Sequence, residues 1–179
     1  MRAVFLLLIS LLALTGCDSL GLSTLERYRS EIAQIEVPVL TGWEVQFEQD
    51  GGAGTAFLTM TNEYSGVMVT RAPRAMLFPN QSEDAGVDVY LDVLIDLAEG
   101  TFVASGPAEE QKRSGYRQAT ASVEMEQVAD LAGPSSGTLL LAMQDDQVVI
   151  ALFYCSVDQL EQCEKDLARS VKGFRLIKP

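Results

Sequence analysis

Residues 147–155 read QVVIALFYC. Successive side chains of a strand point to opposite faces, so Val148, Ile150, Leu152 and Tyr154 share one side and Val149, Ala151, Phe153 and Cys155 the other. Both sides are apolar, which predicts a strand covered above and below. A one-layer sheet cannot provide that, whereas a sheet held between two layers can. Across Asp145-Asp146 the segment meets residues 137–143, and the two read as a hairpin.

Working outward, residues 158–172 carry Leu160, Cys163, Leu167 and Val171 at helical spacing, with Asp158-x-x-Glu161 as a capping box and Gly173 just beyond the end. Upstream, Val87, Tyr90, Leu91, Leu94, Ile95 and Ala98 complete an amphipathic helical face, with Ser82, Glu83 and Asp84 expected to supply a cap and first-turn negative charge and Gly100 just past the end. Residues 43–47, 55–61 and 66–71 read as a β-meander, with Gly51-Gly52-Ala53-Gly54 as its first turn. Residues 101–128 read as strands around polar turns. In 18–37, Ser23-x-x-Glu26 and the spacing of Leu25, Tyr28, Ile32 and Ile35 predict a tether with a short helix, although its end from Ile32 could equally lead into the first strand. The fold class expected is α+β, an antiparallel sheet covered by helices on both faces, within one domain at 38–179.

The start of the chain speaks to location. Arg2, an apolar run from Ala3 to Leu14 and then Leu14-Thr15-Gly16-Cys17 resemble the lipobox of bacterial lipoprotein precursors. The run is shorter than the ~20 residues a bilayer core requires. The resemblance implies a signal peptide at 1–16, a lipidated Cys17 and a tether over 17–37. Stable anchoring takes more than one acyl chain, as such lipidation supplies. Asp18 resembles an inner-membrane retention signal, which implies the periplasmic face of the inner membrane, with the outer membrane as the alternative. Export would place Cys155 and Cys163 in an oxidising compartment, where two remaining cysteines are expected to form a disulfide.

The order of elements, with Gly42-Trp43 ahead of the first strand and Gly173-Phe174 after the last helix, resembles the PsbP-like α/β/α sandwich superfamily, in particular the DcrB-like periplasmic lipoproteins. That resemblance covers about 38–176. It implies a three-layer sandwich and a non-enzymatic accessory or binding role, and it carries no catalytic residue over.

Composition excludes much. The 179 residues hold 25 acidic and 13 basic side chains, a net charge of −12, which argues against nucleic acid as a partner. With no histidine, Ser-His-Asp and Cys-His mechanisms and most zinc sites are removed. Gly133-Pro134-Ser135-Ser136-Gly137 matches the nucleophile elbow in letters, but that device needs a strand before it, a helix after it and a histidine base. Asp88, Asp92 and Asp96 form a straight row on the solvated side of their helix, which suits Ca²⁺ poorly. Lys112, Arg113 and Arg117 make a compact basic turn.

The segment 71–80, RAPRAMLFPN, either folds back as a lid over the core or, where exposed, is the candidate partner contact. Met76, Leu77 and Phe78 form an apolar knot between prolines, flanked by Arg71 and Arg74. The expectation is a non-catalytic, lipid-anchored accessory protein that contacts an envelope protein and uses no cofactor or metal. The alternative is a carrier holding a small apolar ligand between sheet and helix.

Overall fold

The computed structural model describes residues 26–178 apart from 83, 99, 129, 130 and 132 and the side chain of 162. Cys17, Asp18 and the 1–16 leader lie outside the described residues.

The strands are β1 (Arg27–Ser30), β2 (Ile35–Pro38), β3 (Glu44–Gly52), β4 (Thr55–Thr61), β5 (Ser65–Pro73), β6 (Val103–Ala104), β7 (Glu109–Arg113), β8 (Tyr116–Met125), β9 (Ser135–Gln144), β10 (Gln147–Ser156) and β11 (Arg175–Leu176). The helices are a single turn α1 (Arg74–Leu77), α2 (Val87–Leu97) and α3 (Leu160–Gly173). Every pairing is antiparallel. The large sheet runs β3-β4-β5-β10-β9-β8-β6, with β7 also on β8, while β1-β2-β11 form a small separate sheet.

The two-faced reading of 147–155 holds. Val149, Ala151, Phe153 and Cys155 join one buried cluster with Leu58, Met60, Val67, Val69, Leu140, Ile35, Val37, Leu167 and Phe174. Val148, Leu152 and Tyr154 join a second cluster with Leu139, Leu141, Val123, Val87, Tyr90, Leu91 and Phe78. Leu139 and Leu140 are neighbours in sequence yet belong to different cores, as strand alternation requires.

The cover is less helical than a sandwich layered by helices on both faces. On one side α3 packs over β10 and β9, and it shares that side with the small sheet, which it contacts at β2. On the other side α2 packs over β8 and β9. Among the described residues each face is therefore only partly covered by helix, and the covered parts are offset: no described helix of more than one turn lies over the β3–β4–β5 half on the α2 side or over the β7–β8 half on the α3 side.

Three sequence expectations are corrected. Residues 27–38 form the hairpin of β1 and β2, so the short helix is replaced while the alternative of a strand after Ile32 is met by β2; Ala33, Ile35 and Val37 are fully buried, and the folded domain includes residues assigned to the tether. Alternation of Ile35 and Val37 suits a strand, and it overrode a helical spacing too short to stand alone. Second, α2 starts from Gly86 without a side-chain cap, four residues after Ser82, whose carbonyl accepts the Tyr90 hydroxyl. Third, a 3₁₀ turn (Val157–Gln159) takes the place of the Asp158 capping box, and α3 begins at Leu160 without a side-chain cap.

Candidate functional site

The RAPRAMLFPN segment divides in two. Pro73 ends β5 and Arg74–Leu77 make one helical turn, anchored where the Arg74 amide donates to the Asp146 carbonyl at 2.6 Å. Phe78 then turns inward, 3% exposed, and meets Tyr90 edge-on at 5.0 Å between ring centroids. It is core and not contact surface, which corrects that part of the expectation. Leu77 is half-buried against the same cluster, and Arg74 reaches the Tyr90 hydroxyl at 3.4 Å. Arg71 lies in β5 on the opposite side of the sheet, cross-strand from Ala56 and Val149. Met76 alone of the apolar three stands well out, 58% exposed.

A broader apolar surface lies on the uncovered half of the α2 side. In β4, Ala56, Leu58 and Met60 point into the core, so Phe57 and Thr59 point the other way. Phe47 pairs with Thr59, Thr59 with Met68, and Met68 with Leu152. Phe57 sits two residues along from Thr59, cross-strand from Thr70. Phe47, Phe57 and Met68 are thus neighbours on one face, and they are 47%, 40% and 39% exposed. Their tail end adjoins a groove of about 620 Å³, floored by Thr59, Thr61 and Tyr154 and walled by Glu44, Glu63 and Leu131. Phe57 stands directly before buried Leu58, so the apolar character of both faces of β4 was readable. What the sequence did not show was where α2 stops.

Trp43 is held at the same end by a hydrogen bond from its indole N–H to Ser65 Oγ at 2.9 Å, and Asn62 Oδ1 accepts from the Tyr64 and Ser65 amides to close the β4–β5 turn. Cys155 and Cys163, both buried, lie at disulfide distance with Cα atoms 6.7 Å apart, within the reach of a bridge.

The other candidates separate. Ser135 is buried at the start of β9, so its hydroxyl is not presented as a nucleophile elbow presents one. Asp92 and Asp96 are exposed on α2. Arg117 pairs with Glu110 at 2.8 Å, while Arg113 donates to Gln111 at 3.2 Å. Arg113 and Lys172 border a second groove, about 580 Å³, whose floor of Gln118, Thr120, Ser122 and Thr138 is the polar face that a half-solvated antiparallel sheet presents. The space between the sheet and α2 is occupied by Val87, Tyr90, Leu91 and Phe78. Among the described residues no helix is long and apolar enough to cross a membrane.

No family model matches the chain, and no curated protein matches it. Solved structures do. The solution structure of cyanobacterial PsbP (CyanoP) from Synechocystis sp. PCC 6803 aligns with a TM-score of 0.58 at 14% identity, covering 92% of this chain and 99% of that one. The crystal structure of PA94 from Pseudomonas aeruginosa, a protein of unknown function, aligns with a TM-score of 0.48 at 11% identity, covering 86% of this chain and 97% of that one. At that identity the first of these likenesses establishes architecture alone. The fold is PsbP-like.

Proposed function

We propose that this protein is a non-catalytic accessory lipoprotein, anchored by lipid on Cys17 at the periplasmic face of the inner membrane, that acts by contact with another envelope protein. On this reading its domain is a helix-layered sandwich of the DcrB-like kind. The observation that carries the contact is the row Phe47, Phe57 and Met68, three large apolar side chains left in water on the half of the sheet that α2 does not reach. Contiguous exposed apolar surface is a feature by which interaction sites are recognised. The lipid anchor rests on the lipobox-like Leu14-Thr15-Gly16-Cys17.

A photocrosslinking side chain at Phe57 in the exported protein tests the contact. A discrete adduct that Phe47→Ser abolishes, with thermal stability unchanged, supports it. No adduct at Phe57 or Met68 ends it. Cys17→Ser tests the anchor, since a protein that still starts at residue 17 in the membrane fraction rules out the lipobox reading.

A further inference from the structure

The open half-face differs in character from one end to the other. Phe47, Phe57 and Met68 occupy one end, and the 620 Å³ groove occupies the other, with Glu44 and Glu63 on its walls and no lysine or arginine among the described residues that line it. Neither carboxylate makes an ion pair among the described residues. The adjoining smaller groove shares Glu63 and adds Asp158.

From this we infer that the face receives a polypeptide segment of a partner that is cationic at one end and apolar at the other. Its lysine or arginine side chains lie over Glu44 and Glu63, and its apolar side chains lie over Phe47, Phe57 and Met68. The inference rests on the docking reading above and names the partner's chemistry. Two unpaired carboxylates beside an apolar surface favour a cation that brings its own apolar neighbours, because charge-assisted hydrogen bonds form there while the apolar contact excludes water. The chain's net charge of −12 attracts such a partner from a distance. The same charge disfavours a second copy, whose own Glu44 and Glu63 would meet these.

The geometry also selects face over edge. Strand β3 ends the large sheet, and no strand among the described residues pairs with its outer edge. Its ladder to β4 is irregular between Val45 and Phe47 and again between Asp50 and Gly52, and the strand carries the exposed carboxylates Glu44 and Asp50. Bulges and charges are the usual means by which an edge resists strand addition. The segment therefore lies across the face.

The test uses the full chain in detergent and two labelled peptides of equal apolar content, one with a Lys-Arg run at one end and one with a Glu run there, compared by fluorescence anisotropy. The basic peptide should bind at least tenfold more tightly, and the difference should shrink as salt rises. Glu44→Lys with Glu63→Lys should reverse the preference; if that variant does not fold, Glu44→Gln with Glu63→Gln should remove it. Phe47→Ser with Phe57→Ser should weaken the basic peptide's binding. Equal binding of both peptides, tighter binding of the acidic one, or binding of neither overturns the inference, and the docking reading still stands if the Phe57 crosslink persists. Dimerisation by sedimentation that Phe57→Ser abolishes replaces the segment with a second copy.

Discussion

The hydroxyl of Tyr28 in β1 donates to a carboxylate oxygen of Glu48 in β3 at 2.8 Å, and Ser30 donates to the other oxygen of the same carboxylate. One side chain on the edge of the large sheet thus holds the small sheet in place. The tyrosine is pushed up to about 12, by burial first and by the Glu48 carboxylate next. In the unfolded chain it titrates near 10. Between those values the folded protein keeps a proton that the unfolded chain has lost, so this contribution is complete below about pH 10 and is lost as pH rises toward 12. Tyr28→Phe should make the decline in stability above pH 10 shallower, as read by urea midpoints across pH 8–12. An unchanged slope would show that the contact is not maintained in solution.

Cys155 and Cys163 join the end of β10 to the first turns of α3, eight residues apart. On the chain-entropy model a bridge closing so small a loop contributes about 2–3 kcal/mol. Cys155→Ala with Cys163→Ala should lower stability by that order, and mild reduction should not lower the double variant further. Two free thiols per chain in the unfolded exported protein would remove the bridge from the account.

Met76 and Phe78 are two residues apart and should respond in opposite ways. Phe78→Ala empties the place against Tyr90 and should cost about 3–5 kcal/mol. Met76→Ser should leave the melting temperature nearly unchanged, because its side chain stands largely in water. Replacing Met76, Leu77 and Phe78 together with polar residues should unfold the domain, because Phe78 is core.

Gly137 in β9 has no room for a side chain, because a Cβ there would meet the Phe153 carbonyl of β10. The obstacle is backbone, which cannot swing aside as a side chain would. Gly137→Ala should cost roughly 1–3 kcal/mol, the range for overpacking a tight interior, and should show as a lower denaturant midpoint.

Much of this architecture was legible because periodicity is a direct record of burial. The two apolar faces of 147–155, the span 55–61 and the helix from Val87 could be read off spacing alone. The hairpin at 27–38 could not, because four-residue strands give too few repeats to separate a period of 2 from one of 3.6. Capping failed as a guide at both Ser82 and Asp158, where tertiary contact and a 3₁₀ turn set the helix starts. The docking candidate was misplaced for a different reason. Composition flagged Met76-Leu77-Phe78 as apolar in a loop, yet whether a loop residue turns in or out depends on Tyr90, sixteen residues from Arg74 in the chain. Exposure of Phe57 depends in turn on where α2 stops along the sheet, a property of no local segment.

A strand with one oily side and one wet side keeps its register by hydrophobicity, since a slip of one residue turns the wrong set inward. Strand β10 has given up that safeguard. Shifted by one position, Val148, Ile150, Leu152 and Tyr154 would simply trade places with Val149, Ala151, Phe153 and Cys155, apolar for apolar. Beyond the tight turn at Asp145-Asp146, what distinguishes the two alignments is shape: the bare backbone of Gly137 beside the Phe153 carbonyl, the gap at Gly66 that Tyr154 fills, and the cysteine that must face Cys163. The centre of this sheet is told where to stop by two absences of a side chain and one meeting of sulfurs, and its fidelity depends on residues that contribute almost nothing to its oiliness.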